Sequence, residues 1–443
     1  MTRKTAGIRL FSAKALLFLT VLGVFFVGQN LFYRETLFYF WGNNIVLLLY
    51  AATLYLATKI YHAFSFGSAG LPEIILSWAL CLIITDTFEY FRMGLLELRL
   101  LPVFGMLVIL AAQTAAVVIL AFFTDKLYYR LNPAQNAAVV YGSEEKAKSY
   151  AKLLKDCKNK FNVILTVSQS EAPETLFSRL DGAESVFFLD VCEEKRELLL
   201  EYCFRSNKRS YFLPTFSGVL TNSAELVWIS GTPMFLPKSP VRDAGSLMVK
   251  RCIDIAVSLT GIVLLSWLML IVWAAIKLYD GAPAVYRQTR ETKDGKLFTL
   301  YKFRSMRPDA ESDGVPRLAA KNDERITPVG RFIRKTRIDE LPQLFNVLFG
   351  SMSVVGPRPE RPELARLYEA AYPNFSLRLK VKAGITGFAQ VYGRYSASPE
   401  EKLFLDVMYI ENFSIWQDLK LMLQTLKILF WTEGAEGVEK ERQ

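Results

Sequence analysis

The densest cluster of chemistry-bearing side chains is Arg334-Lys335-Thr336-Arg337-Ile338-Asp339-Glu340, at the head of a predicted helix running to Phe349. An acidic pair in that position can simply cap a helix or complement its dipole. Its surroundings suggest more, because Arg334, Lys335 and Arg337 precede it within five residues and Arg358 follows a Gly356-Pro357 turn that would fix its direction. Carboxylates among cations are expected to have lowered pKa values and to stay ionised, which suits a nucleophile or a divalent-metal ligand beside a phosphate. Their oxygens also suit Mg²⁺, which neutralises a diphosphate.

The rest of the composition narrows the chemistry. The 443-residue chain has one histidine, His62, so a His-based triad, an HExxH metal site and a multi-histidine centre cannot be built. The five cysteines are scattered without a CxxC, which suggests neither a disulfide framework nor a zinc site. Net charge is +10, and residues 281–400 hold 21 Lys and Arg against 13 Asp and Glu, so the partner of that segment is expected to be anionic. Nucleic acid, anionic lipid headgroups and phosphorylated metabolites all fit charge alone.

The elements that must position these groups start in a membrane. Hydrophobic residues make up 52% of the chain, mean hydropathy is +0.22, and apolar runs crowd the first 125 residues. Four segments, 15–33, 38–57, 71–90 and 101–123, each approach the roughly 20 residues that cross a bilayer as a helix. Arg3, Lys4, Arg9 and Lys14 precede the first and Lys126 and Arg130 follow the fourth, placing both ends of the bundle in the cytoplasm. The first segment lacks a small-residue cleavage site and reads as an uncleaved anchor. Glu73, Asp86 and Glu89 fall near the predicted ends of the third segment, where carboxylates reach water; the alternative is a functional intramembrane acid.

Between residues 136 and 240, strand-like runs at Ala137–Tyr141, Val163–Val167, Val186–Leu189 and Tyr211–Leu213 alternate with helical periodicity, predicting a small parallel α/β domain of Rossmann-like type. Its first turn, Gly142-Ser143-Glu144-Glu145, lacks the later glycines of a dinucleotide fingerprint and puts two carboxylates where a pyrophosphate would lie. A structural or regulatory role is therefore expected. A fifth apolar run, Cys252–Ile276, is long enough to span, but spanning would put the basic segment outside the cell. A re-entrant or interfacial helix avoids this, with Ser258, Thr260, Gly261 and Ser266 as the available breakers. The leucines and isoleucines of Tyr409–Phe430 fit either core packing or an amphipathic helix lying on the membrane.

Four clusters, KFRSM (302–306), RIDELPQLFNVL (337–348), GSMSVVGPRPE (350–360) and KAGITGFAQVYGR (382–394), in this order and at these separations, resemble the bacterial sugar transferase, or polyprenyl-phosphate phosphoglycosyl transferase, family. The resemblance runs from about Lys250 to Phe430, and the N-terminal parts resemble the long, exopolysaccharide-initiating branch. It implies a UDP-sugar donor, a polyprenyl (undecaprenyl) phosphate acceptor, and attack by Asp339 on the donor's β-phosphate with release of UMP. A covalent aspartyl-phosphosugar would then pass to the acceptor, initiating exopolysaccharide, capsule or O-antigen repeat units. Glu340 would act as base in the second step or orient Mg²⁺ bound at Asp339. Lys302, Arg304, Arg334, Arg358 and Arg394 would hold phosphates or the nucleotide. The family usually carries Ser-Pro in the membrane helix where this chain has Ser266-Trp267, and a tryptophan where it has Phe388.

The resulting expectation is a membrane α-helical bundle plus α/β architecture: a four-helix transmembrane region (1–130), a Rossmann-like cytoplasmic domain (131–245), and a mostly helical monotopic catalytic domain (246–443) with membrane helix 252–276. The protein is expected in the bacterial inner membrane with its catalytic domain on the cytoplasmic face; a homodimer is compatible with this reading, and nucleic acid is not an expected partner. The rivals are a glycosyl transferase that moves only the sugar and releases UDP, and a catalytically silent scaffold for polysaccharide assembly.

Overall fold

The structure is a computed structural model that describes residues 3–33, 42–144, 159–213, 215–222, 224–237, 243–310, 323–393 and 398–430. The chain divides into two compact units, Met1–Leu213 and Pro214–Gln443.

The first unit begins with four apolar helices, α1 (Arg3–Phe32), α2 (Gly42–Ile60), α3 (Leu71–Glu97) and α4 (Val103–Leu131). Stretches of α1, α3 and α4 are long and apolar enough to cross a membrane. With 19 residues, α2 rises about 28 Å, at the edge of the roughly 30 Å hydrocarbon core. Leu17, Val21 and Phe25 of α1 are buried, and Phe25 stacks on Tyr50 of α2.

The longer α3 corrects one expectation. Glu73 does lie in its first turn, but Asp86 and Glu89 sit about two turns or more inside the helix and are 2% and 1% exposed. Neither reaches water at a helix end. Instead Tyr50 donates to Asp86 (2.6 Å), Gln113 donates to the Tyr50 hydroxyl (2.8 Å) and to the Val21 carbonyl (3.2 Å), and Glu89 pairs with Arg92. Buried polar groups need such partners where no solvent competes.

Strands β1 (Gln135–Tyr141), β2 (Phe161–Ser168), β3 (Ser185–Leu189) and β4 (Arg209–Phe212) form a parallel sheet in the order β2-β1-β3-β4, accompanied by α5 (Pro173–Leu180) and α6 (Glu193–Arg205). This is a doubly wound order of the flavodoxin kind, different from the 3-2-1-4 run of a dinucleotide-binding sheet. Gly142 has a packing reason: a Cβ there would lie 2.0 Å from the Asp190 carbonyl oxygen, with the Gln169 amide at 2.8 Å. Those groups occupy the space after β1 where a pyrophosphate would approach.

The second unit contains α7 (Phe216–Asn222), an antiparallel hairpin of β5 (Glu225–Ile229) and β6 (Thr232–Leu236), and α8 (Ala244–Asp280), whose 37 residues rise about 55 Å. Helical backbone continues through Ser258, Thr260, Gly261 and Ser266, so none of the expected breakers interrupts it. Gly261 serves close packing instead, since a Cβ there would sit 3.1 Å from Leu344. Near its start α8 is clamped to the unit's core: Lys250 donates to Asp418 (2.6 Å) and to the Val355 carbonyl (3.0 Å), and Asp254 accepts from Ser353 (3.0 Å) and from the Val354 amide (2.9 Å). Near its end, Val272 and Ile276 pack with Phe303 and Ile333.

An antiparallel pair, β7 (Val285–Glu291) and β8 (Leu297–Phe303), leads to α9 (Pro328–Lys335), a 3₁₀ turn over Ile338–Glu340, and α10 (Gln343–Phe349). Asp339 and Glu340 are therefore not in the first turn of one helix reaching Phe349. The turn is set off from α9 by Arg337 in the left-handed region (φ 55°) and from α10 by Leu341-Pro342. After α10 come β9 (Ser353–Val355), α11 (Pro362–Ala371), a 3₁₀ stretch over Phe375–Lys380, β10 (Gly384–Thr386) parallel to β9, α12 (Phe388–Tyr392), α13 (Pro399–Glu411) and α14 (Ile415–Phe430). The stretch predicted as one amphipathic segment from Tyr409 is thus two helices broken at Asn412–Ser414. Leu421 is fully buried while Trp416 stays 55% exposed, so core packing describes part of it.

Candidate active site

Each functional side chain is placed by a specific local constraint. Lys302 lies at the end of β8, which α10 reads as though it were a neighbouring strand: the Asn346 side chain accepts from the Tyr301 amide (3.0 Å) and donates to the Thr299 carbonyl (2.7 Å). The last carbonyls of α10, Val347 and Leu348, accept from the two ends of the Arg251 guanidinium (2.7 Å each), which satisfies groups a helix C-terminus leaves orphaned. The strand then turns at Ser305, whose carbonyl approaches Gly330 so closely that a Cβ would lie 1.9 Å away. Thr327 caps α9 at the Gly330 amide (2.9 Å), fixing the helix that carries Arg334 beside the strand that carries Lys302.

Glu340 is where these elements meet. Its Oε1 accepts from Lys302 Nζ (3.0 Å) and from Arg358 Nη2 (2.8 Å), and its side chain is 12% exposed. Arg358 keeps 42% of its side chain exposed, so part of that attraction is screened by solvent. Asp339 is half-buried and accepts no hydrogen bond among the described residues.

The carboxyl pair splits electrostatically. Burial works to raise Glu340, yet the charges of Arg358, Lys302 and Arg337 outweigh it and hold the group well below the usual carboxylate range. Asp339 goes the other way: burial first, then the adjacent Glu340 charge, push it up to about 6 against the pull of Lys302, Arg334 and Arg358. The expectation that both acids are lowered thus holds for Glu340 and is reversed for Asp339, because the nearest cations are already committed to its neighbour. Burial also lowers Lys302, against the opposing attraction of Glu340. With two cations on one oxygen, Glu340 is the ionised partner of that contact.

The opposed shifts pull stability in opposite senses. Asp339 binds its proton more tightly folded than unfolded, so its contribution is present at low pH and is lost as pH rises from about 4 through about 6. The lowered Glu340 contributes above the ordinary glutamate range, and that contribution is lost as pH falls toward its folded value.

The other predicted residues divide. Arg334 contributes its charge at Asp339, and neither Arg334 nor Arg337 makes an ion pair or side-chain hydrogen bond among the described residues, leaving two guanidinium groups for an incoming anion. Arg304 is drawn elsewhere: it forks onto Asp280 (2.7 and 2.5 Å) and donates from Nε to the Pro283 carbonyl (2.8 Å), tying the end of α8 to β8. Its donors are spent on that clamp, and it makes no contact with Glu340. Arg394 lies outside the described residues. Arg337 was not among the candidate ligands although it stands in the same motif; its left-handed backbone is the feature that distinguishes it, and a single sequence does not display that.

Asp339, partly buried and with no hydrogen bond among the described residues, is the residue that could hold Mg²⁺, a cation commonly bound through one or two carboxylates together with waters and substrate phosphates. A concavity is walled by Pro357–Glu360, Phe375, Ser376 and Arg378, and its lining does not include Asp339 or Glu340.

Comparison with known proteins agrees with the motifs. A model of the family described as Bacterial sugar transferase matches residues 245–432. An undecaprenyl-phosphate galactose phosphotransferase of Salmonella typhimurium is 30% identical over 360 residues, covering 73% of this chain and 74% of that protein. A UDP-glucose:undecaprenyl-phosphate glucose-1-phosphate transferase of Klebsiella pneumoniae is 40% identical over 217 residues, 48% of this chain and 46% of that protein. A UDP-N-acetylgalactosamine-undecaprenyl-phosphate N-acetylgalactosaminephosphotransferase of Aeromonas hydrophila is 40% identical over 244 residues, 54% of this chain and 56% of that protein. In the last two the aligned region spans about half the relative's length, whereas the Salmonella alignment takes in nearly three quarters of both proteins, with four apolar helices in this chain ahead of a complete motif set. The chain belongs to the bacterial sugar transferase family.

Proposed function

We propose that this protein transfers a sugar 1-phosphate from a UDP-sugar to polyprenyl phosphate in two displacements at Asp339. The observation that carries the reading is the divided carboxyl pair: among the described residues Asp339 accepts no hydrogen bond and lies near the unpaired Arg334, while Glu340 is fixed by Lys302 and Arg358. In the first displacement an Asp339 oxygen bonds to the β-phosphorus. The bond from that phosphorus to the bridging oxygen breaks, and its electron pair leaves with UMP. In the second, a phosphate oxygen of the polyprenyl phosphate attacks the same phosphorus and the acyl-phosphate bond breaks, returning Asp339 as a carboxylate. Positioning and charge neutralisation are the main demands of such transfers. Arg334 and Arg337 would receive the diphosphate; bound Mg²⁺ would supply further neutralisation of it at Asp339. A carboxyl held as low as Glu340 is a poor proton acceptor near neutrality, which favours an orienting and charge-fixing role over that of base.

The membrane path belongs to the same proposal. One compact unit holds α8 both at Lys250–Asp254 and at Val272–Asp280. A unit on one side of a bilayer reaches both ends only if both stay at the same face. For a helix without a break that supports the interfacial course, with the catalytic unit on the cytoplasmic side of the inner membrane, where nucleotide sugars are made, and a role in initiating a polysaccharide repeat unit.

The test is nucleotide release from UDP-glucose, UDP-galactose and UDP-N-acetylgalactosamine by purified protein with Mg²⁺ and undecaprenyl phosphate. UMP from one donor is the expected product. UDP would assign simple glycosyl transfer, and no product from any donor would favour the scaffold. The raised Asp339 adds a pH prediction: the nucleophile must be ionised, so kcat/KM should fall about tenfold per unit as pH drops below about 6. A profile flat down to pH 4.5 would contradict that assignment.

A further inference from the structure

The segment Pro357-Arg358-Pro359-Glu360 presents four consecutive backbone carbonyls, and each accepts from a different residue. Pro357 O accepts from the Gly384 amide (2.9 Å), Arg358 O from Arg378 Nη2 (2.7 Å), Pro359 O from Arg290 Nη1 (3.1 Å), and Glu360 O from the Glu291 amide (3.2 Å). The two prolines have no N–H to offer, so the segment is held almost wholly through its acceptors. Its one long cation, Arg358, points from this frame to Glu340.

Of the four anchors, the one on Arg358 itself is the most elaborately built. Arg378 is 3% exposed, in the 3₁₀ stretch Phe375–Lys380, with its guanidinium over the Phe375 ring at 4.9 Å. Its Nη2 lies 2.7 Å from Asp406 Oδ2 on α13, and Asp406 is 1% exposed. Its Nη1 lies 3.6 Å from Glu360, which is itself 4.0 Å from Arg290. A buried ion pair is weak evidence for stability, since well-packed apolar residues often do as well. The pair asks for another reason, and the Arg358 carbonyl supplies one.

We infer that Arg378, held by Asp406, is a positioning residue that fixes the backbone of Arg358 and so the guanidinium that donates to Glu340 beside Asp339. The inference rests on the sugar-phosphate transfer reading. Arg378 touches neither Asp339 nor Glu340; it acts through one carbonyl. Misplacing a group at the chemistry by about 1 Å can cost on the order of 100-fold in rate, and that is the size of effect expected here.

The experiment uses the full-length protein in nanodiscs. Arg378→Met alone strands Asp406 and would unfold the unit for a trivial reason, so the informative variant is the double Arg378→Met/Asp406→Leu, which removes both buried charges together. It is expected to keep a cooperative melt near that of wild type and to lose about 100-fold in kcat with KM for the UDP-sugar changed much less. Amide exchange in the 354–361 peptide should accelerate. Arg378→Lys, which keeps the charge but lacks the second nitrogen that faces Glu360 while Nη2 serves Asp406 and the Arg358 carbonyl, should fold and show a smaller kinetic loss in the same direction. A folded double variant with wild-type kcat would overturn the proposal, as would unchanged exchange over 354–361 in both variants. If wild-type protein releases no UMP, it is the transfer reading that fails, and the exchange result alone then judges the positioning of Arg358.

Discussion

Asp339→Asn is expected to lower UMP release by about four orders of magnitude or more and to abolish any protein-bound sugar phosphate, in line with the loss seen when a covalent nucleophile is removed. The substitution is nearly isosteric, and Asp339 accepts no hydrogen bond among the described residues, so little of the fold depends on its charge. Glu340 keeps both of its cations, and an inactive variant cannot be ascribed to collapse of the surrounding network. Donor labelled in the sugar phosphate, quenched in acid after single turnover, should remain on wild-type protein and not on the variant. Activity within tenfold of wild type would remove Asp339 from the nucleophile's role.

The second large effect is structural. Gly384→Ala places a methyl group 2.1 Å from the Gly356 amide nitrogen, 2.6 Å from Gly356 Cα and 2.6 Å from the Thr386 carbonyl oxygen. All three are backbone atoms, and no side chain can turn aside to relieve them. The clash falls where β9 meets β10, at the carbonyl anchor of Pro357. A destabilisation of more than about 3 kcal/mol is expected, enough to lose the folded catalytic unit. Gly295 provides the control: it has φ +70° but nothing within 4 Å of its would-be Cβ, so alanine there should cost about 1 kcal/mol. Denaturant unfolding of the two variants in one detergent separates them. Equal midpoints would mean that the two strands do not pack this closely.

Most of the site's chemistry could be read from residue types in order, because the motif residues Lys302, Arg334, Glu340 and Arg358 are brought together within a few side-chain lengths. The direction of the Asp339 shift could not be read, since it depends on which carboxylate the cations choose, and that choice is made by the chain reversal at Arg337. Arg304 looked like its neighbours in KFRSM but is turned to the end of α8 by Asp280, a residue that carries no motif. The anchors Asp254, Arg290, Arg378 and Asp406 come from distant parts of the sequence and become meaningful only when the fold brings them to Val354 and the 357–360 carbonyls. Strand positions in the parallel sheet were legible from β-branched and aromatic runs to within about two residues, whereas helix lengths were not. Apolar windows end where hydropathy falls, and α3 continues past that point to Glu97, which leaves its acids inside the helix, where they find partners within the bundle.

Those partners have a consequence for how the bundle assembles. Once helices are in lipid, apolar faces barely distinguish one rotation of a neighbour from another, since a leucine is as content against an acyl chain as against another leucine. The contact from Tyr50 to Asp86 and those from Gln113 to Tyr50 and the Val21 carbonyl join α1, α2, α3 and α4 through directional bonds. Turning any one helix by a single residue, about 100°, would leave a polar side chain facing hydrocarbon. The cluster thus acts as a lock with one setting, selecting the native rotation of four otherwise interchangeable greasy cylinders.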